Sequence, residues 1–159
     1  LTKLKYVGVS TADLLDIYKL FVRSRAEYMS VVWHSSLTAA ESNRIENVQK
    51  TSLKIILADR YTDYQSGLDL ALLETLAARR TARCLAFAKR CLKNDQTKHF
   101  FPLNPDYLQD LRNPEKYTVN FAHTENYRNS TIPYCQRLLN ANFQVEEEKR
   151  REKEKDKVE

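Results

Sequence analysis

The residues able to do chemistry in this sequence are few, and their spacing decides what each can do. A two-metal nucleotidyl-transfer centre needs carboxylates converging from a rigid scaffold to hold the ions that activate a hydroxyl. Outside the first helix and the charged C-terminus, the close acidic pairs are Asp59/Asp63 and Asp106/Asp110. Both fall in polar, loop-like stretches, where solubility accounts for them better than catalysis. Cys84 and Cys91 are too widely spaced for a CxxC thiolate pair, and His34, His99 and His123 match no zinc spacing. Core thiols and surface histidines are the expectation. Ser35 and Ser36 follow His34 without the flanking glycines of a nucleophile elbow, so local turn bonding is expected of them. With 2 glycines in the chain, neither a GxxxxGK[ST] nor a GxGxxG loop can form, which excludes nucleotide-cradling loops. No catalytic residue, metal or cofactor is expected.

Positive charge and aromatic rings remain. Arg79, Arg80, Arg83, Lys89, Arg90 and Lys93 lie in one stretch that holds no acidic residue. At about 100° per residue, Arg79, Arg83, Lys89, Arg90 and Lys93 share a sector of about 120°. Cys84, Leu85, Ala88, Cys91 and Leu92 share the opposite sector. One face is expected to be core and the other basic, with repulsion that ordinary i,i+4 pairing does not offset. Such a face is either an anion site or merely solvated. Further on, Tyr117, Phe121, Tyr127, Arg128, Tyr134 and Arg137 interleave rings and guanidinium groups. Rings stack on bases and arginines bind phosphates, although tyrosines in such a place equally seal loops over a core.

The elements that position these residues follow from breakers and periodicity. All 4 prolines lie after residue 101, so the first hundred residues should be mostly helix. Ser10 and Asp13 have the form of a capping box, and Leu14, Leu15, Tyr18, Phe21, Val22, Met29 and Val32 recur at helical spacing, which predicts a helix over 11–33. Thr38 and Glu41 open a second, over 39–58, with Ile45, Val48, Ser52, Ile55 and Ile56 on one face. A short helix is expected over 68–73, and Thr75 caps a long one over 76–92. Residues 94–130 read as a long loop with a short strand at 117–121. Pro133 suits the first turn of a last helix, with Tyr134, Leu138 and Leu139 on its apolar side. The tail from Val145 has no apolar stripe to hold it to the body, which predicts disorder or a solitary helix.

The chain is 159 residues long, the size of one domain. Its fold class is expected to be mainly all-α: a bundle of about four to five helices over 1–94, an irregular segment with a final helix over 95–144, and a charged tail over 145–159. The tail holds 6 basic and 7 acidic residues of the totals of 26 and 21, leaving 20 against 14 in residues 1–144. The folded part therefore carries the positive excess, which favours an anionic partner without specifying a site. The 3 cysteines suit reduced thiols. No apolar run approaches a membrane span. The chain opens on Leu1 and shows no signal-peptide h-region, so a nuclear or cytoplasmic rather than secreted protein, and a piece of a longer one, is expected.

A resemblance covers roughly residues 1–140. Val22-Arg23-Ser24-Arg25-Ala26-Glu27-Tyr28, followed by Val32-Trp33-His34-Ser35-Ser36-Leu37-Thr38, resembles the region after the palm in reverse transcriptases of jockey-like non-LTR retrotransposons. Leu4, Gly8-Val9 and Asp13-Leu14 match in order, as do Ile45-Glu46, Gln49-Lys50, Leu53-Lys54-Ile55-Ile56-Leu57, Ala78-Arg79-Arg80 and Cys84. Arg112-Asn113, Tyr117, Phe121, Tyr127-Arg128-Asn129-Ser130 and Ile132-Pro133-Tyr134-Cys135-Gln136-Arg137-Leu138-Leu139-Asn140 complete the set. Each match alone is weak, and the ordered set is specific.

The resemblance implies a helical thumb and C-terminal region that grips an RNA/DNA hybrid or duplex DNA beside a palm and fingers, in a nuclear setting. The aromatic-x-Asp-Asp palm motif is absent from these residues, so the chain is not expected to polymerise alone. Two departures stand out: Leu72-Leu73 replaces the family's usual Gly-Leu pair, and Ala58 stands where glycine often ends the second helix. The residues expected to hold nucleic-acid backbone, from charge and periodicity, are Arg79, Arg80, Arg83, Lys89, Arg90, Lys93, Arg128 and Arg137. The rival expectation is an inert structural or protein-interaction module.

Overall fold

A computed structural model describes residues 1–108 and 115–155. Among these residues the fold is helical, and pairing of strand type is confined to one antiparallel bridge between Leu103 and Tyr117. The strand expected at 117–121 does not form. Asp110, Arg112, Asn113 and Pro114 lie outside the described residues. The helices are α1 (Thr2–Tyr6), α2 (Thr11–Ile17), α3 (Ser24–Ala26), α4 (Ser30–Trp33), α5 (Ala39–Leu57), α6 (Tyr64–Ala71), α7 (Leu76–Leu92), α8 (Glu125–Arg128) and α9 (Thr131–Lys155). They fall into two compact units: residues 1–30 with 37–82, and residues 31–36 with the chain from Arg83 onward.

In the first unit, the single helix expected over 11–33 is broken. Ser10 accepts the Asp13 amide and starts α2 as the capping pattern requires. The turns then widen into a π segment, Tyr18–Arg23, before α3. The Ser24 hydroxyl donates back to the carbonyls of Leu20 and Phe21, a bond that competes with the helix ladder. Widening turns Leu20 and Phe21 outward, and Met29, past the end of α3, is also largely exposed, although helical spacing places Phe21 and Met29 inside. The chain ends this run at Glu27, and Met29 takes a left-handed φ of 51°.

α5 carries the core of this unit. Thr38 and Glu41 form a complete capping box at its start. Leu53 and Leu57 pack with Leu68 and Ala71 of α6, and Ile56 packs with Leu14 and Tyr18 of α2. α6 begins at Tyr64, four residues before its expected start, because Asp63 accepts the Ser66 amide as an N-cap. Lys5 donates to the Ile56 carbonyl at 2.7 Å, placing a cation at the C-terminal end of α5.

The second unit is organised by α9. Cys84, Ala88 and Cys91 of α7 pack with Phe101, Cys135 and Leu139, and Val31 lies against the same cluster. The loop is fastened by amide side chains rather than by a sheet. Asn140 donates to the Tyr117 carbonyl and accepts its amide, both at 2.9 Å, as a neighbouring strand would. Gln136, one turn earlier, donates to the Phe100 carbonyl at 2.8 Å and accepts the Asn120 amide at 2.9 Å. Both amides are buried, and at Tyr117 Asn140 takes up the backbone groups on the side away from its bridge to Leu103. The tail is neither disordered nor a solitary helix through Lys155: it is the continuation of α9, which runs unbroken from Thr131 to Lys155.

Candidate nucleic-acid interface

α7 is the element on which the basic residues were expected to act, and its position is fixed from its first turn. Glu46 of α5 accepts the amides of Leu76 at 3.0 Å and Ala77 at 3.1 Å, and Thr75 accepts that of Ala78 at 3.1 Å. A buried carboxylate thus occupies the N-terminal end of the helix, the place where a helix otherwise attracts a phosphate. Tyr64 donates to the same carboxylate, and Gln49 bridges Tyr18, Tyr64 and the Glu74 carbonyl. Burial pushes the Tyr18 and Tyr64 hydroxyls well above the ordinary tyrosine range, with Glu46 reinforcing the shift at Tyr64.

The two arginines nearest that end serve the fold. Arg80 is fully buried and donates to the Ser42 hydroxyl at 2.9 Å, which removes it from the expected binding set. The reason is visible on the helical wheel, where about 100° per residue puts Arg80 beside Cys84 and Cys91 rather than in the basic sector. Arg79 pairs with the buried Glu27, its Nε donating at 2.6 Å and its Nη2 at 3.3 Å. That bidentate bond raises its guanidinium pKa and commits it to the turn after α3.

Arg83, Lys89, Arg90 and Lys93 belong to the second unit and are exposed. Cys84, Ala88 and Cys91 are buried on the opposite face, as the periodicity requires. The charge here is not wholly uncompensated, because Lys89 pairs with Glu146 of α9 at 3.1 Å. Arg128 and Arg137 belong to other elements. Arg137 donates to the Arg128 carbonyl at 2.8 Å, closing the end of α8, and Arg128 pairs with Glu125 at 3.3 Å. The eight basic residues expected to act together therefore separate into two that brace the first unit, three exposed along α7 with Lys93 just past its end, and two that tie α8 to α9.

The interleaved aromatics divide in the same way. Tyr134 meets His34 edge-on at 5.6 Å, and Tyr117 packs on the core. Phe121 is 79% exposed, edge-on to His123 at 4.8 Å, and is the ring most accessible to a base. The sequence did not point to Lys116, whose ammonium lies 4.5 Å from the ring centre of Phe143, 5.9 Å from Tyr117 and 6.0 Å from Tyr107. Its signal, a lysine beside a tyrosine in a loop, is too common to single out.

The remaining groups behave as structural ones. Cys84, Cys91 and Cys135 are buried, and contact with Cys84 followed by burial pushes the Cys135 thiol far up, so it is a poor nucleophile. Ser36 donates to the Trp33 carbonyl at 3.1 Å in a local turn. Among the described residues no cluster of His, Cys, Asp or Glu is placed to hold a metal ion. Among them, too, no helix is long and apolar enough to cross a membrane. Comparison with known proteins adds no relative. The chain matches no family model, no curated protein and no solved structure.

Proposed function

We propose that this chain is the thumb and C-terminal region of a jockey-like non-LTR retrotransposon reverse transcriptase, with no polymerase centre of its own. In this reading it grips the backbone of an RNA/DNA hybrid or duplex DNA, in the nucleus, and its further partners are the palm and fingers of such a polymerase. The observation that carries the binding is the set of exposed cations Arg83, Lys89 and Arg90 of α7 and Lys93 just past its end, a stretch of sequence that contains no acidic residue. Side chains of this kind hold phosphates without reading sequence.

Two backbone details favour the family reading. Ala58 has φ 47° and Leu72 has φ 50°, a conformation natural to glycine, at the two positions where the resembling family usually carries glycine. Gln136 and Asn140, both in the matched C-terminal motif, have structural work in fastening the loop that contains Tyr117.

The test is binding of the purified chain to labelled hybrid and to duplex DNA across salt concentrations. If these four cations reach phosphates, log K should fall with log salt with a slope of up to about −3.6 on duplex DNA, the limit for four unpaired contacts. Replacing Arg83, Arg90 and Lys93 together by Glu should abolish binding while the helical spectrum is kept. Binding that ignores salt, or that survives the triple charge reversal, refutes the reading.

A second reading, an inert structural or protein-interaction module, is favoured by one observation. Leu20, Phe21, Tyr28 and Met29 expose a run of apolar surface beside a cleft lined by Ser24, Arg25 and Tyr28. A folded chain that binds neither nucleic acid at low salt supports it.

A further inference from the structure

The basic sector of α7 already has an acidic neighbour from its own chain. Lys89 Nζ lies 3.1 Å from Glu146 Oε1, across 57 residues of sequence. Glu146 is held in place from its own helix, because Asn142 Nδ2 donates to the same oxygen at 2.6 Å. These two bonds keep its carboxyl below the usual carboxylate range, the Asn142 bond contributing most. Glu147, the next residue, is turned to Arg150 at 3.0 Å. Glu146 is therefore an acid through which α9 reaches the α7 sector, and a carboxylate oxygen so placed stands where a phosphate oxygen would approach Lys89.

We propose that Glu146 is an intramolecular substitute for phosphate, and that α9 thereby gates the α7 face. The inference rests on the nucleic-acid reading above and adds a regulation to it. A phosphate that takes Lys89 must displace Glu146, which then recruits a cation from solution. Engagement of Lys89 consequently releases fewer counterions than it would from an unpaired lysine, and the pair weakens both the affinity and its salt dependence. The pair is exposed on both sides, 47% for Lys89 and 58% for Glu146, so the gate is a light one that nucleic acid can open.

The experiment uses the full chain and fluorescein-labelled duplex DNA, with anisotropy read from low to moderate salt. Glu146→Gln should tighten binding about two- to fivefold at low salt. It should also steepen the salt slope by up to about 0.9, one phosphate's share. Glu148→Gln, which removes the same charge from the same helix, should do neither. In a Lys89→Gln background, Glu146→Gln should have no effect, because the cation it competes for is gone. Wild-type binding that Glu146→Gln leaves unchanged, or that Glu148→Gln strengthens equally, overturns the gate and leaves the interface standing. Absence of binding by wild type and Glu146→Gln alike overturns the interface and the gate together. All these side chains are exposed, so unchanged helical spectra confirm that each comparison is between folded proteins.

Discussion

Leu72→Gly and Ala58→Gly should each make the protein more stable, the opposite of what removing a side chain usually does. Leu72 ends α6 at φ 50°, ψ 50°, and its side chain is 91% exposed, so truncation removes almost no packing. A non-glycine residue in the left-handed region costs roughly 1–2 kcal/mol. Glycine gives back about 0.5–1 kcal/mol through the extra freedom of the unfolded chain. The balance for Leu72→Gly is a gain of about 0.5–1 kcal/mol by these two terms. Ala58 is worse placed, at φ 47°, ψ −117°, outside the left-handed helical well. Strain there is on the order of 2–3 kcal/mol, which leaves a gain of about 1–2 kcal/mol. The double variant should therefore gain about 2 kcal/mol, equivalent to a rise of about 4–8 °C in Tm for a chain of this size. Urea unfolding followed by far-UV circular dichroism measures it. Gly67→Ala supplies the opposite sign, since a Cβ there would lie 2.9 Å from the Tyr61 ring and must push it aside. That substitution should cost about 1–3 kcal/mol. An unchanged or lowered midpoint for Leu72→Gly would refute the strain argument, because no lost contact is available to explain it.

Three further outcomes follow from the same contacts. Glu27→Ala leaves Arg79 without its buried partner and should cost about 3 kcal/mol in urea unfolding, whereas Arg90→Ala, on the exposed sector, should change stability by less than about 0.5 kcal/mol. Alkaline titration should lower stability: the Tyr18 and Tyr64 hydroxyls stay protonated in the folded chain above their ordinary value of 10.0, while the unfolded chain ionises there. Their contribution is fully present below that pH and is lost as pH rises, by up to about tenfold in the folding equilibrium per pH unit for each tyrosine; Tyr18→Phe should make the fall shallower, and an identical slope would contradict the assignment. Asn140→Leu strands the amide and carbonyl of Tyr117 and should cost about 1–3 kcal/mol, with amide exchange accelerating at Tyr117 before it does in α5.

Elements governed by local signals were legible in the sequence. The capping box at Thr38 and Glu41, the cap at Thr75 and the core stripe of Cys84, Ala88 and Cys91 each depend on residues within a few positions of one another, and all three are present in the structure. The helix over 11–33 was misread because its period is interrupted by a π segment, and apolar spacing alone does not reveal where a turn widens. The short strand expected at 117–121 shrinks to one bridge at Tyr117, because Gln136 and Asn140 bond the remaining backbone there, and their amides look like ordinary polar residues on a helix. Within the candidate interface, charge and wheel angle set Arg83, Lys89, Arg90 and Lys93 on one exposed face, whereas Arg80, counted among the binding residues for its charge, is buried at the wheel position beside Cys84 and Cys91. What the wheel does not contain is Glu27, 52 residues from Arg79, or Glu146, 57 residues from Lys89. Partners at such separations are fixed by tertiary packing and leave no periodic trace.

These two acids also account for how α7 tolerates so many cations. Positive charge near the start of a helix opposes the macrodipole, and charge near its end is favoured by it. Arg79, close to the start, is the cation that receives a buried carboxylate, and Glu46 supplies the negative charge that the first turn prefers. Lys89 and Arg90 lie in the last turn, where the dipole itself offsets part of their mutual repulsion, and they are left exposed. Neutralisation is thus concentrated where the helix needs it for folding. Apart from Arg83 at mid-helix, the charge that remains on the surface stands at the end of the helix, where keeping it exposed costs the fold least, which is the condition under which a basic face can be kept for a partner.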